Sequence, residues 1–479
     1  MNKELPEGWE WTSLGETASR LQAGGTPSTK VKEYYQNGTI NYVKIEDMAS
    51  ANKYLFDTKI KITKSGLDNC SAWIVPENSL LYSMYASYGI PVINKIKVAT
   101  NQAIIAFIPP EGLINLDYIY YYLLSLKPFL KSKIRGTTQE NLNANIVTNI
   151  EVPLPPLPEQ QRIVEEIEEL FTNLDKGIEY LKTAQAELKI ARQSVLKYAM
   201  EGKLTEKWRE ENKDKIEPAS VLLDKIKDGR KKDGKYKELP PLDTSELSIL
   251  PEGWIWSTLA EVTDDSQYGW TTRAISEGNL HLLRTTDITS GRIEWDTVPF
   301  CEEEPQNIEK YLLLDGDIVI SRAGSVGYSY LIKNPQKSIF ASYLIRFKPK
   351  INQYYLSYFL KSPAYWNSIY EKSIGIALPN VNASKLKQVS IPLPPLPEQQ
   401  RIVEEIETYF SILDNMENTI SQSLHQTSSI RQSILKKAFE GKLVPQDPND
   451  EPASILLQRI KAEKNSNIKK ENYQQLRID

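Results

Sequence analysis

Sixteen consecutive residues, PLPPLPEQQRIVEEIE, stand at Pro153–Glu168 and recur unchanged at Pro392–Glu407. The first eight positions hold four prolines, which lack an amide donor and cannot sit inside a helix. The last eight favour a helix. Pro158 and Pro397 suit its first position, and Glu159 and Glu398 suit its first turn. A switch from stiff extended chain to helix, made twice, predicts a tandem of two related halves. A polyproline ligand for an SH3-type groove is the other use of PLPPLP. Because both copies run into a helix at the same register, a rigid connector is the better reading.

Other segments recur in step. LPEGWEW at Leu5–Trp11 returns as LPEGWIW at Leu250–Trp256, and ARQSVLKYAMEGKL (191–204) returns as IRQSILKKAFEGKL (430–443). EPASVLLDKIK (217–227) returns as EPASILLQRIK (451–461). Each half therefore reads as a Trp-bearing opening, a variable body, a proline hinge, a long helix and a short amphipathic tail. The boundaries expected are bodies at 1–152 and 245–391, hinge and helix at 153–204 and 392–443, a short helix and charged linker at 205–244 and a short helix and tail at 444–479.

In the helices an apolar stripe follows alternating spacings of four and three. It runs Ile163, Ile167, Leu170, Leu174, Gly177, Leu181, Ala184, Leu188, Ala191, Val195, Tyr198 in the first copy. The second copy runs Ile402, Ile406, Tyr409, Leu413, Met416, Ile420, Ser423, Thr427, Ile430, Ile434, Lys437. Gly202 and Gly441 fall where a terminating glycine belongs. A helix from Glu159 to Glu201 would be roughly 65 Å long. A stripe of that length needs a partner, and the nearest is the other copy, laid antiparallel, with Gly177 and Ala184 permitting close approach.

The bodies mix strands (INYVKI 40–45, QAIIAFI 102–108, DIVISR 317–322, YLIRFK 343–348) with aromatic helices (LDYIYYYLLS 116–125, QYYLSYFLKS 353–362) whose tyrosines read as core. The fold class expected is α+β: two mixed α/β domains joined by two long helices forming an antiparallel coiled coil, with pseudo-twofold symmetry. Hinge and helix are copied while the bodies diverge, so the bodies should carry different specificities on one frame.

Little points to covalent chemistry. Cys70 and Cys301 lie in opposite halves, and no Cys, His and carboxylate cluster has metal-ligand spacing. There is no nucleophile elbow, no dinucleotide fingerprint and no Asn/Asp-Pro-Pro-aromatic tetrapeptide. Gly229-x-x-x-x-Gly234-Lys235 is followed by Tyr236 where a phosphate loop needs Ser or Thr, and no buried strand precedes it. A reduced cytoplasmic protein with no membrane segment is expected. Net charge is −4, which does not announce a nucleic-acid binder. Thr, Gln, Asn and Arg on glycine-opened turns are nevertheless groups that bond base edges and phosphates. Two readings stay open on residues alone: a DNA-recognition chain, and a coiled-coil scaffold with two protein-binding domains.

The combined motifs resemble the specificity subunits of bacterial type I restriction-modification systems. The resemblance is carried by the copied PLPPLPEQQRIVEEIE, RQS[VI]LKxAxEGKL and LPEGWxW, with GGTPS, GTTQENLN, LLRTTDI and GDIVISRAGSVG in similar places. It implies two target-recognition domains, each reading half of a split site in double-stranded DNA, and a coiled coil that spaces them and docks two modification (methyltransferase) subunits. Those partners would use S-adenosylmethionine, and restriction/translocase subunits would add ATP and Mg chemistry. This chain would bind no cofactor and catalyse nothing.

Candidate DNA contacts in the first half are Gly25, Thr26, Ser28, Lys30, Tyr85, Thr137, Thr138, Gln139 and Asn141. In the second they are Tyr268, Thr272, Arg273, Arg284, Thr285, Arg322, Ser325 and Asn380. Candidate partner contacts are Pro156, Leu157, Gln160 and Gln161, with Pro395, Leu396, Gln399 and Gln400. Aligning Asn78–Met84 with Gly316–Arg322 leaves no arginine in the first half to match Arg322.

Overall fold

The computed structural model describes residues 4–84, 89–134, 142–234, 238, 241–373 and 381–475. The chain forms two compact units. One comprises Met1–Leu181 with Gln422–Asp479, and the other Lys182–Ser421.

In the first unit the opening strand Glu10–Ser13 pairs antiparallel with the hinge strand Glu151–Leu154, setting Trp11 opposite Pro153. Prolines are tolerated there because this two-stranded ribbon has free edges. The body holds a five-stranded sheet in the order Arg20–Ala23, Ile104–Ile108, Ser79–Ser83, Pro91–Asn94, Tyr54–Leu55. A second sheet orders Ile60–Ile62, Ile40–Val43, Ala99–Thr100. The aromatic helix Leu116–Ile134 packs Tyr118, Tyr120, Tyr121 and Tyr122 into the core, as the sequence predicts.

The second unit repeats the plan. Ile255–Thr258 pairs with Ser390–Leu393. One four-stranded sheet orders Gln267–Tyr268, Leu344–Phe347, Ile318–Ser321, Ser329–Leu331; another orders Ala274–Ile275, Phe300–Cys301, His281–Leu283, Ser338–Phe340.

At each hinge the chain turns into a helix of 44 residues, Leu157–Met200 and Leu396–Phe439. The junction is buried and made of polar groups. The Trp9 indole donates to Glu159 at 3.0 Å, and the Trp254 indole to Glu398 at 2.8 Å. Gln160 donates to the Pro155 carbonyl and accepts from the Asn115 amide, each at 3.0 Å. Gln399 does the same with Pro394 at 2.9 Å and Asn352 at 3.0 Å. Tyr118 and Tyr355 donate to the Pro153 and Pro392 carbonyls. Gln160 and Gln399 are 0% exposed, and Pro156 and Pro395 are buried. This corrects the expectation that these four meet a partner, because their bonds are spent inside their own unit. Gln161, Gln400 and Leu396 remain exposed, and Leu157 is half-buried.

The helices run antiparallel within each unit. In the first, Arg431 pairs with Asp175 and lies 4.7 Å over the Phe171 ring. In the second, Arg192 pairs with Asp414, reaches Glu417 at 3.2 Å and lies 5.3 Å over Phe410. The copied RQS motif thus supplies the same cation to the same Asp and Phe in both units. Gly202 and Gly441 terminate the helices at φ +70° and +66°. The amides of Lys203 and Lys442 close back onto the Tyr198 and Lys437 carbonyls, as a left-handed cap requires.

Three helix expectations fail. Of the expected stripe, Tyr198 is 46% exposed, Tyr409 44%, Met416 51% and Ile430 44%, and Lys437 is exposed; at the helix ends Leu196, Ala199 and Met200, and Leu435 and Ala438, turn inward instead. There the helix docks on a body, so its inward face follows a 3.6-residue period rather than a 3.5-residue one. Gly177 has nothing within 4 Å of an added Cβ, so it mediates no close approach. Residues 228–232, read as the start of the linker, lie inside the helix Ala219–Lys232.

The junctions and the helix generate three predictions. Glu398 is 1% exposed and also accepts from Arg209 and Thr205 at 2.8 Å, whereas Glu159 accepts from Gln446 at 3.3 Å and, among the described residues, from no arginine. Glu398→Gln takes the anion away from the half-buried Arg209 guanidinium and should cost up to about 3 kcal/mol in thermal unfolding; a loss no greater than that of Glu159→Gln would refute this. Burial pushes the Glu159 carboxyl above its usual value, opposed by its bonds from Trp9 and Gln446. Stability from a raised group is complete below its unfolded pKa and lost as pH rises through the folded one. The melting temperature of Glu159→Gln relative to the parent should therefore improve between about pH 4 and pH 8. Separately, Gly177→Ala should raise stability by up to about 1 kcal/mol, since a helical glycine meets open space; an unchanged or lower melting temperature would count against it.

Candidate nucleic-acid interface

In the second unit three chain segments converge on the turn Ala341–Tyr343. The Ala341 amide donates to the Leu283 carbonyl at 2.9 Å, beside Arg284. The Ser342 amide donates to the Trp270 carbonyl at 3.0 Å, and the Arg322 amide to the Tyr343 carbonyl at 2.9 Å. The Arg322 guanidinium lies 5.1 Å over the Tyr268 ring, whose hydroxyl accepts from the Ala383 amide at 3.0 Å. The Nε of Arg322 is buried with no hydrogen-bond partner among the described residues. A cation stacked on an aromatic face keeps its remaining N–H groups in a fixed plane, the geometry that meets a guanine edge or a phosphate.

Arg284 sits at the end of the His281–Leu283 strand, gripped by Asp287 through Nε at 3.1 Å and Nη2 at 2.8 Å. That grip fixes its direction and holds its pKa above the ordinary value, chiefly through the Asp287 bond. Ser325 is exposed in the hairpin after Arg322, and its carbonyl accepts from the Ser321 hydroxyl. Thr285 is not presented: its hydroxyl oxygen is buried, with no hydrogen-bond partner among the described residues. Thr272 and Arg273 lie on a different pairing. The Thr272 hydroxyl accepts from the Glu303 amide at 3.0 Å, and the Arg273 carbonyl from the Glu302 amide, so exposed carboxylates flank this arginine.

The first unit repeats the convergence with other side chains. The turn Asn101–Ala103 receives Met84, whose amide donates to the Ala103 carbonyl at 2.8 Å, as Arg322 does in the second unit. Gly24 and Gly25 donate to the Ile104 and Thr100 carbonyls, matching Gly269 and Trp270. An added Cβ would lie 2.0 Å from the Thr100 carbonyl oxygen at Gly24 and 2.3 Å from the Ser71 hydroxyl at Gly25. Gly25 also accepts from the Tyr42 hydroxyl at 2.9 Å. It is therefore a packing residue, its amide and carbonyl both used, and not an open contact. Thr26, Ser28 and Lys30 are exposed. Met84, 2% exposed, stands where Arg322 stands, which bears out the missing arginine.

Lys44 was not singled out from sequence. It ends the Ile40–Val43 strand where Arg284 ends its own, and its amide donates to Asp47 at 2.9 Å as that of Arg284 does to Asp287 at 2.7 Å. The signal was available in VKIED set against LRTTD. Gln102, too, was read only as strand. Tyr85, Thr137, Thr138, Gln139, Asn141 and Asn380 lie outside the described residues. Among the described residues no group of three or more His, Cys, Asp or Glu could hold a metal ion, and no helix is long and apolar enough to cross a membrane.

A family profile described as the type I restriction modification DNA specificity domain matches residues 6–189 and 261–426, most of the chain. The chain belongs to this family. It is a specificity chain, with catalysis residing in other subunits. The Escherichia coli K12 EcoKI specificity subunit is 26% identical over 492 residues, covering 96% of each chain. The Escherichia coli EcoBI specificity subunit is 25% identical, covering 82% of this chain and 81% of its own. Among solved structures, the HsdS subunit of Thermoanaerobacter tengcongensis is 19% identical with a TM-score of 0.54, covering 92% of this chain and 99% of its own. A chain from a study of complex assembly and conformational transition of the type I R-M system is 20% identical with a TM-score of 0.61, covering 92% of this chain and all of its own. These likenesses establish the tandem fold.

Proposed function

We propose that this type I specificity subunit reads a split site in double-stranded DNA, one half by the body at 1–152 and the other by the body at 245–391. One observation carries the reading. Both bodies bring a hairpin strand and the end of a parallel strand to a corresponding turn, yet furnish it differently, with Arg322, Arg284 and Ser342 in one and Met84, Lys44 and Gln102 in the other. A shared frame with exchanged polar groups is what two different half-sites demand. Of the contacts named from sequence, Tyr268, Arg284, Arg322 and Ser325 stay candidates in the second body, and Thr26, Ser28 and Lys30 in the first.

Two modification subunits would dock along the long helices, where a two-helix pairing leaves apolar side chains uncovered. Tyr180 is 74% exposed, Ile190 67%, Met416 51% and Ile412 49%. S-adenosylmethionine would be bound by those subunits, and ATP and Mg by restriction/translocase subunits, all in the cytoplasm.

Arg322→Ala should weaken recognition of one half-site by about 1–3 kcal/mol and leave the other unchanged. Sequencing methylated adenines in cells that hold the full chain and its modification partner tests this, and equal loss at both halves would contradict it. The helices should also set the spacer between half-sites. The Arg431–Asp175 and Arg192–Asp414 pairs each lie within one unit. One heptad inserted after Leu181 and another after Ser421 therefore preserves both pairs. At roughly 10 Å per heptad and about 3.4 Å per base pair, the methylated motif should gain about three spacer positions. An unchanged spacer would sink the ruler.

A further inference from the structure

The first body lacks the arginine that marks the second, so the group that replaces it must come from elsewhere. The turn Asn101–Ala103 offers one. Gln102 is exposed at its tip, and its carboxamide oxygen accepts from the Thr26 hydroxyl. Behind Thr26 stands the Tyr42 hydroxyl, 1% exposed, which donates to the Gly25 carbonyl at 2.9 Å and lies 3.1 Å from the Thr26 oxygen. The relay therefore runs from Thr26 to an exposed amide, with a buried phenol behind it. The turn is fixed at both ends, by the Asn101 side chain accepting from the Ala103 amide at 3.0 Å and by Gly25 donating to Thr100 at 2.9 Å.

We propose that Gln102 is a specificity-determining residue of the first body, reading an adenine, and that Thr26 is its positioning residue. This rests on the DNA-reading function above. A glutamine amide recognises adenine by donating to N7 and accepting from the N6 amino group. The Nε2 of Gln102 has no partner among the described residues, and its oxygen keeps a second lone pair after the bond from Thr26. Holding the oxygen before DNA arrives removes side-chain freedom that binding would otherwise have to freeze. Thr26, noted in the sequence as a contact, acquires a different task, because its hydroxyl proton is directed at Gln102.

The test is selection from a pool of random duplexes by the full chain together with its modification partner. The parent should enrich a bipartite motif. Gln102→Ala should lower the preference at one A·T pair of one half-site roughly tenfold, leaving the second half-site intact. Thr26→Val should blunt the same position, while Thr26→Ser, which keeps the hydroxyl, should restore it. If Gln102→Ala keeps the parental preference at every position, or loses preference in both halves alike, the assignment of Gln102 is wrong. If Thr26→Val shifts no base preference, the relay is only structural. A parent that enriches no bipartite motif would instead defeat the DNA reading on which this inference stands.

Discussion

A carboxylate taken out of water at the first turn of a helix is the constraint on which the rest of this protein depends. Glu159 and Glu398 are each 1% exposed, and a buried charge is tolerated only where donors surround it. The opening tryptophan supplies one donor in each unit, and the helix N-terminus contributes its partial positive charge. The neighbouring glutamine bridges the hinge carbonyl to the aromatic helix of the body through Asn115 or Asn352. Opening strand, hinge, long helix and recognition body are therefore tied at one point, and this explains why LPEGW and PLPPLPEQQ are copied together.

The repeat seen in the sequence is not the unit seen in space. The segment after the first long helix packs on the second body, and the segment after the second long helix packs on the first. The Ala219 amide donates to the Gly253 carbonyl and the Ala453 amide to the Gly8 carbonyl, both at 2.9 Å. Arg230 then caps the carbonyls of Ala260, Glu261 and Thr263, and Lys464 caps Gly15. The first unit accordingly draws on both ends of the chain, and the copied EGKL and EPAS motifs act on the body they do not follow.

Architecture was legible because period and punctuation encode it. Prolines, cap glycines and the four-three stripe located the long helices within two residues, and short β-type runs located the strands Ile40–Val43, Ile104–Ile108, Ile318–Ser321 and Leu344–Phe347. The burial of the hinge was less legible. Pro156 and Gln160 look like surface features in PLPPLPEQQ, and only the bond of Asn115 to Gln160, with that of Tyr118 to the Pro153 carbonyl, shows the hinge drawn inward. The site was read unevenly for a similar reason. Arg322 and Tyr268 lie far apart in sequence, and nothing local says that one stacks on the other. Gln102 and Lys44 were hidden at strand ends, where a residue's exposure depends on how the next turn folds.

The contrast between the two turns follows from what each element must satisfy. Backbone bonds into Ala341–Tyr343 and Asn101–Ala103 are alike because they close sheets, and a sheet edge left open there would strand polar groups. Side chains at the tips close nothing and are free to diverge. Met84 shows the limit of that freedom. Where arginine lies against Tyr268, methionine is 2% exposed, so the first body has turned this position inward and given up its polar group. Recognition there has to move along the turn to a residue that still faces outward. Gln102 meets that requirement with an anchored orientation, whereas Lys44 offers charge without direction. A body can thus change the chemistry it presents by transferring exposure between neighbouring positions while its hydrogen-bonded frame stays as it was.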